Sequence, residues 1–237
     1  MSLTNKPQFL QMPIGSGGGG VGSGSPAIPS KPPGIGSNPP PNGSSPIRSN
    51  ALTVDGGLIA DPNMRRTDLD SLHPVMREAT LYLLRKLEAE GIPLRLFESF
   101  RSPARQAWLY AQGRTRAGAI VSNAEPWDSY HQYGLAADFV LWIEGSWSWS
   151  TVGVHSMYWK RLHKIGEEVG LEPLSWETPH LQVADLALQD LKKGKFPDGG
   201  DDAWRDNLEA VAIGWDTDKS GLLMASPRPP APKLPKP

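Results

Sequence analysis

Two pairs of side chains in this sequence have the types and spacing needed to bind and use a metal ion. His131 lies seven residues before Asp138, and Glu177 lies three residues before His180. Two imidazoles and one carboxylate make a three-ligand set for a catalytic zinc, which keeps the fourth tetrahedral position for water. Glu177 is then a spare carboxylate close to a ligand, where it could exchange protons with that water. The spacing therefore predicts hydrolytic zinc chemistry.

The segments around these residues predict the elements that position them. The apolar run from Gly134 to Leu141 predicts a buried strand, in which Asp138 is costly unless it is paired or bound to a metal. Residues 174–183 predict another strand, and Pro179 within it favours an edge strand or a bent one. Helical periodicity recurs between the strands without regular alternation. The pattern therefore predicts an α+β fold.

Two further segments bear on the site. Arg101 follows a predicted strand and precedes a predicted helix, a junction at which side chains often point into a site. Residues 144–153, which include Trp147 and Trp149, predict an exposed loop that could line a substrate groove. Residues 114–127 also predict a loop, with a short strand at 119–121.

Composition excludes several classes of function. The formal net charge of -1 gives no bulk attraction to nucleic acid or to an anionic membrane. The absence of any apolar run of about 18 residues predicts no transmembrane helix. The chain has no cysteine, which excludes disulfides, thiolate metal ligands and a cysteine nucleophile. We expect neither nucleic-acid binding nor membrane insertion, and we expect a monomer.

The distribution of Gly, Pro and Ser predicts four segments. They are a disordered N-terminal segment over 1–51, a zinc-binding domain over 52–195, a helical extension packed on it over 196–226, and a disordered Pro-rich tail over 227–237. The first residues lack the basic and then apolar pattern of a signal peptide. We therefore expect synthesis in the cytoplasm, and action elsewhere only by another route of release.

Four ordered blocks of sequence resemble the VanY-like zinc D,D-peptidases, a family that includes D-alanyl-D-alanine carboxypeptidases and L-alanyl-D-glutamate endopeptidases. The resemblance extends over about residues 70–185 and implies a hedgehog-like or D,D-peptidase-like zinc domain, with a small antiparallel sheet and flanking helices. The blocks are S-x-H-x-x-G-x-A-x-D at 129–138, E-x-x-H at 177–180, Ser-Phe-Arg-Ser at 99–102 followed by Gln106, and Leu-Tyr-Ala-Gln-Gly-Arg at 109–114.

The resemblance also implies a role for each matched residue. Glu177 is implied as the general base and then the general acid, and Arg101 as the group that polarises the scissile carbonyl and stabilises the oxyanion. The implied zinc ligands are His131, Asp138 and His180, and the residues implied to contact substrate are Ser129, Gln106 and Tyr133. The implied cofactor is Zn²⁺, and the implied partner is the peptidoglycan stem peptide, in the cell wall or periplasm after phage lysis or specialised secretion.

The bond that is cut depends on the branch of the family. The blocks at 133–139 and 109–114 resemble the endopeptidase branch, which favours the L-alanyl–D-glutamate bond. Glu177 departs from the Asp that is frequent in that branch and favours a D-alanyl-D-alanine carboxypeptidase instead. Two other classes stay open: a zinc-binding module without catalysis, and a phage-tail or secreted-toxin protein that delivers this domain.

Overall fold

The computed structural model describes residues 52–54, 57–59, 64–218 and 228–235. The predicted disordered segment 1–51 lies outside the described residues. The strands β1 and β2 form a two-stranded antiparallel sheet, and β3 to β7 form a five-stranded antiparallel sheet. Their bounds are β1 Leu52–Val54, β2 Gly57–Ile59, β3 Leu94–Glu98, β4 Ala136–Ile143, β5 Ser146–Ser148, β6 Leu171–Leu174 and β7 Glu177–Val183.

The larger sheet has the order β3-β4-β7-β6, and β4 changes partner along one of its edges. On that edge β4 pairs with β7 over residues 136–138 and with β5 over residues 141–143. On its other edge β4 pairs with β3. Residues 139–140 of β4 therefore lie at a fork between β7 and β5. We call this place the β4 fork.

Within the described residues, five α-helices accompany the sheet, which confirms the α+β prediction. Their bounds are α1 Pro74–Ala89, α2 Pro103–Ala111, α3 Val154–Glu168, α4 Leu188–Lys192 and α5 Asp202–Thr217. The apolar residues of helices α1 and α3 lie in one hydrophobic core with one face of β4. That face supplies Phe139 and Leu141. The opposite face of β4 carries Asp138, since side chains alternate along a strand. None of the described helices is both long and apolar enough to cross a membrane.

Two local predictions were wrong, and one of two alternatives for a third was excluded. Residues 146–148 form β5 rather than part of a loop, because Trp147 pairs with Trp142 across a hairpin whose turn residues Glu144 and Gly145 have positive φ. No strand forms at 119–121. Strand β7 lies between two strands rather than at an edge.

Pro179 is tolerated in β7 because of the local register. The pairing of β7 with β4 ends at His180, and its pairing with β6 shifts by a bulge between Pro173 and Leu174. Pro179 therefore lies where neither neighbour needs a backbone N–H from it. A bulge interrupts the regular pairing of β7 with β6 at this point.

Residues 196–218 and 228–235 lie against the rest of the described structure. Trp204 of α5 is buried and its indole N–H donates to the Tyr133 carbonyl at 2.8 Å. Residues 228–235 also make contacts: the Trp215 indole donates to the Pro229 carbonyl at 2.8 Å, and the Lys233 N–H donates to the Lys192 carbonyl at 3.2 Å. The domain boundaries themselves stay predictions.

A tight turn places His131 beside β4. A 3₁₀ turn, Tyr130–Tyr133, ends at Gly134, which has φ 70° and ψ 24° and donates its N–H to the turn carbonyls. A Cβ at this position would lie 2.8 Å from the Ser71 carbonyl oxygen. Glycine is required here for its positive φ and for the close approach of the backbone.

Substitution of Gly134 tests how strongly this turn is constrained. Gly134→Ala combines a left-handed backbone with a steric clash, whereas Gly170→Ala has φ 80° and nothing within 4 Å of the added Cβ. We expect Gly170→Ala to cost about 1–2 kcal/mol, the cost of a left-handed L-residue, and Gly134→Ala to cost clearly more. Urea unfolding of both variants measures the difference. Equal losses of stability would contradict the packing argument.

Candidate metal centre

Three elements bring the predicted ligands together. His131 comes from the 3₁₀ turn, Asp138 from β4 and His180 from β7, and Asp138 is the direct cross-strand partner of His180. His131 Nε2 lies 3.1 Å from Asp138 Oδ1 and 3.2 Å from His180 Nδ1, and His180 Nδ1 lies 3.2 Å from Asp138 Oδ1. All three residues are buried, and their ligand atoms lie within 4.8 Å of one another.

The hydrogen bond made by Nδ1 of His131 shows that the other ring nitrogen, Nε2, presents its lone pair to the cluster. His131 Nδ1 lies 2.7 Å from the Ser99 carbonyl oxygen, which can only accept a hydrogen bond. Nδ1 therefore carries the proton, and Nε2 presents a lone pair to Asp138 and His180. An outer hydrogen bond of this kind is typical of metal-binding histidines.

His180 is oriented by a chain of two further side chains. Its Nε2 lies 3.1 Å from Gln182 Oε1, and Gln182 Nε2 donates to Glu172 Oε1 at 2.7 Å. Because the Glu172 carboxylate only accepts, it sets the Gln182 amide with its oxygen towards His180. That oxygen accepts from the His180 Nε2–H, so His180 presents the lone pair of Nδ1 to the cluster.

Three lone pairs therefore converge on one buried point. Their mutual repulsion requires a cation or a shared proton between them, and a set of two nitrogens and one oxygen fits a metal ion. The surrounding charges favour ionised Asp138: burial works against it, but His131, His180 and Arg101 hold the pKa of the Asp138 carboxyl well below its usual value. The residues present thus fit the metal that their spacing predicted.

Arg101 lies beneath Asp138 in a buried ion-pair network. Its Nη2 donates to Asp138 Oδ2 at 3.0 Å and to Glu98 Oε2 at 2.7 Å, and its Nε also donates to Glu98 Oε2. Burial works to lower the pKa of Arg101, but Glu98 and Asp138 raise it above its ordinary value. Because Oδ2 of Asp138 is held by Arg101, Oδ1 is the oxygen that faces the histidines. The implied role of Arg101 at the scissile carbonyl stays a prediction.

Gln106 and Tyr133 do not lie where a substrate could reach them. Gln106 is fully buried, its amide nitrogen donates to Ser122 Oγ and the Ala124 carbonyl, and its oxygen accepts from Arg101 and Gln132. These four hydrogen bonds use its full capacity. Tyr133 is also fully buried, and its hydroxyl donates to the Trp127 carbonyl at 2.9 Å. The burial of Gln106 and Tyr133 contradicts the contact with substrate that the resemblance implied.

Ser129 has a local structural role. Its hydroxyl accepts from the His131 N–H, while the Gln132 side chain accepts from the Ser129 N–H. This capping box stabilises the start of the 3₁₀ turn that carries His131. The implied contact of Ser129 with substrate stays a prediction.

Glu177 lies at the start of β7 and is only partly buried. Burial works to lower the pKa of His180, but a hydrogen bond to Asp138 and the negative charge of Glu177 raise it above its ordinary value. The carboxylate of Glu177 is therefore near enough to act on the cluster, although it is not one of the three converging groups.

The sequence analysis missed three residues that position the ligands. Gln182 had a usable signal, because it lies two residues after His180 and side chains two apart share one face of a strand. Glu172 and Glu98 had none. Each reaches the site through a cross-strand pair, Glu172 with Gln182 and Glu98 with Asp138.

Gln182→Leu removes the acceptor that orients His180. We expect metal affinity to fall by about 10–100-fold, the usual effect of losing an outer hydrogen-bond partner of a ligand. Gln189→Leu is the matched control, because it makes the same change at an exposed position in α4. Competition with a chromophoric chelator measures both affinities. Equal affinities in the two variants would show that Gln182 does not orient His180.

Comparison with known proteins finds similarity to peptidoglycan peptidases and their relatives. Residues 69–179 match the family model of VanY, described as D-alanyl-D-alanine carboxypeptidase. The peptidoglycan L-alanyl-D-glutamate endopeptidase CwlK of Bacillus subtilis (strain 168) is 44% identical over 70 residues, which are 30% of this chain and 42% of that protein. The L-Ala D-Glu endopeptidase ChiX of Serratia marcescens aligns with 54% of this chain and 93% of its own, at 21% identity and a TM-score of 0.34. The stretch that is similar to the VanY family holds His131 and Asp138 and ends one residue before His180.

Proposed function

We propose that this chain is a zinc-dependent peptidoglycan peptidase that cuts the L-alanyl–D-glutamate bond of the stem peptide. The observation that carries the proposal is the convergence of His131, Asp138 and His180 beside Glu177 within a VanY-family domain. The matched stretch spans less than half of CwlK, so the activity is inferred for this chain from its own site.

The donor set favours zinc. Two imidazole nitrogens and one carboxylate oxygen leave one tetrahedral position open, as in catalytic zinc sites. Calcium and magnesium prefer sets made of oxygen alone. When bound, zinc supplies Lewis acidity that polarises a carbonyl and makes water a stronger acid near neutral pH.

Glu177 is the group that moves protons in this proposal. It is not held by the ligand cluster, it is partly exposed, and its charge acts on His180. A carboxylate so placed accepts a proton from the attacking water and then gives it to the leaving amine. Glu177 therefore acts first as the general base and then as the general acid.

Arg101 acts through Asp138 and through its fixed charge. Its donors to Asp138 and Glu98 keep one carboxylate oxygen turned towards the metal position. A guanidinium keeps its charge at any working pH, so it also favours negative charge that develops nearby on the substrate. Retention of both Arg101 and Glu177 favours an enzyme over a silent zinc-binding module.

Two observations favour the L-alanyl–D-glutamate bond. CwlK, which is 44% identical to this chain over 70 residues, is named for that activity. The blocks at 133–139 and 109–114 also resemble the endopeptidase branch. The substrate is then the peptidoglycan stem peptide, and the place of action is the cell wall or periplasm, reached after phage lysis or by specialised secretion.

A D-alanyl-D-alanine carboxypeptidase is the second candidate. It is favoured by the description of the family model and by Glu177 in place of Asp. Both candidates use the same zinc ligands and the same proton carrier, and they differ only in where the substrate lies along the site.

Glu177→Gln tests the proton carrier. The amide keeps the shape of the side chain but cannot accept the proton, so we expect turnover to fall by at least about 100-fold. The variant should keep one zinc per chain in metal analysis, because Glu177 is not among the clustered residues. Glu209→Gln, at an exposed site in α5, is the control. A near-wild-type rate for Glu177→Gln would assign the proton transfer to another group.

The products of digestion decide between the two bonds. We expect mass spectrometry of purified muropeptides after digestion to reveal a peptide with a new N-terminal D-glutamate. Glu177→Gln, incubated in parallel, controls for contaminating hydrolases. Free D-alanine as the sole product would identify a carboxypeptidase and leave the zinc chemistry intact.

A further inference from the structure

A cluster of aromatic side chains lies on the same face of the sheet as the metal centre. Asp138, Val140 and Trp142 alternate along β4, so all three point to that face. Trp147 of β5 is the cross-strand partner of Trp142 and therefore shares the face. The rise of a strand is about 3.3 Å per residue, so Trp142 lies about 13 Å along β4 from Asp138.

The aromatic cluster is built from side chains of β3, β4 and β5 and from Trp149, which directly follows β5. The Trp142 and Trp147 rings are 4.9 Å apart, and the Phe97 ring lies 5.0 Å from Trp147 and 5.4 Å from Trp149. Phe97 lies on this face because side chains alternate along β3 and Arg95, two residues before it, is the partner of Val140. We call the four rings of Phe97, Trp142, Trp147 and Trp149 the aromatic platform.

Two arginines cover parts of the platform and leave one ring open. The Arg65 guanidinium carbon lies 3.8 Å from the centre of Phe97, and that of Arg95 lies 5.0 Å from the centre of Trp142. These stacked cations hold the rings in place. Trp149 is 53% exposed, although its ring contacts Phe97. A large aromatic ring left half in water, in a cluster on the same face as the metal centre, is suited to hold part of a ligand.

We propose that the aromatic platform binds an N-acetylated sugar of the peptidoglycan glycan strand, the sugar to which the cleaved stem peptide is attached. This inference rests on the proposed function. A pyranose ring has apolar C–H faces and a polar edge, which match an exposed indole face with an N–H at its edge. The platform would hold the sugar while the first peptide bond lies over the metal centre.

The distance along β4 agrees with the L-alanyl–D-glutamate bond. That bond is separated from the sugar by a single alanine and a lactyl ether. The alanine and the lactyl unit each span at most about 3.6 Å, and the ether bond plus the radius of the sugar ring add about 3 Å, so the centre of the ring and the bond are at most about 10 Å apart. The D-alanyl–D-alanine bond lies three residues further out, which adds about 11 Å. A sugar on the platform therefore favours the first of the two bonds.

The test compares two substrates that differ only in the sugar. The zinc-loaded enzyme is assayed on the free stem peptide and on the same peptide attached to its disaccharide. We expect wild type to have the lower KM for the sugar-bearing substrate. Trp149→Ala should raise that KM by at least about threefold, the lower range for loss of an aromatic contact, and leave the KM for the free peptide and both kcat values unchanged.

Two further variants make the comparison specific. Trp149→Phe keeps an aromatic face and should retain most of the preference for the sugar. Ile213→Ala removes an apolar side chain of similar exposure, 54%, from α5 and should change neither KM. Equal effects of Trp149→Ala on both substrates would overturn the proposal, because the platform would then act on the peptide or on the fold. No preference of wild type for the sugar-bearing substrate would overturn it as well.

A binding experiment separates this proposal from the proposed function. Tri-N-acetylchitotriose, a soluble oligomer of N-acetylglucosamine, is titrated into the full chain while tryptophan fluorescence or indole NMR signals are followed. We expect saturable binding that Trp149→Ala abolishes and Glu177→Gln leaves intact. Sugar binding without cleavage of either substrate would keep the platform and reject the peptidase. Cleavage without sugar binding would reject the platform alone.

Discussion

The site depends on one electrostatic constraint, the convergence of three lone pairs at a buried point. His131 Nε2, His180 Nδ1 and Asp138 Oδ1 lie 3.1–3.2 Å from one another, and outer hydrogen bonds hold both ring protons away from the cluster. Such an arrangement is unfavourable unless a cation or a proton occupies the centre. The surrounding groups resist the simplest relief, a flip of either imidazole, because Ser99 and Gln182 would each lose a donor. The protein therefore holds the ligands in a metal-ready geometry through its fold.

The buried carboxylates and arginines around the cluster carry no net charge when no metal is bound. Glu98 and Asp138 are negative, and Arg101 and Arg105 are positive, with Glu98 accepting from both arginines. A divalent cation bound by neutral histidines would therefore leave an excess of positive charge in a site of low dielectric. That excess favours carbonyl oxygens and carboxylates of a substrate, and Glu177 is the nearby carboxylate that partly offsets it.

The sequence was enough to predict that His131, Asp138 and His180 form one site, because their residue types and spacing match those of zinc ligands. It also predicted the buried strand with Asp138, since an apolar run is a local property. The features that the sequence could not predict depend on which residues pair between strands and on contacts between distant parts of the chain. Gln106 and Tyr133 were expected to contact substrate, but cross-chain hydrogen bonds to Ala124 and Trp127 draw them into the interior. Strand β5 was missed because its three residues pair only through the partner that β4 provides. Pro179 suggested an edge strand, and only the bulge opposite it explains its central position.

The β4 fork links the cluster of His131, Asp138 and His180 to the aromatic platform. Where β7 leaves β4 after His180, the edge of β4 continues to β5, so one strand carries the metal ligand Asp138 at one end and Trp142 at the other. An enzyme that cuts inside a polymer needs contacts beyond the scissile bond, and a continuous strand supplies them at a fixed spacing. A loop at this place would hold the rings less firmly, because it lacks the paired backbone that sets the distance between Trp142 and Asp138. The change of strand partner is therefore the feature that makes the catalytic cluster and the aromatic platform parts of one surface.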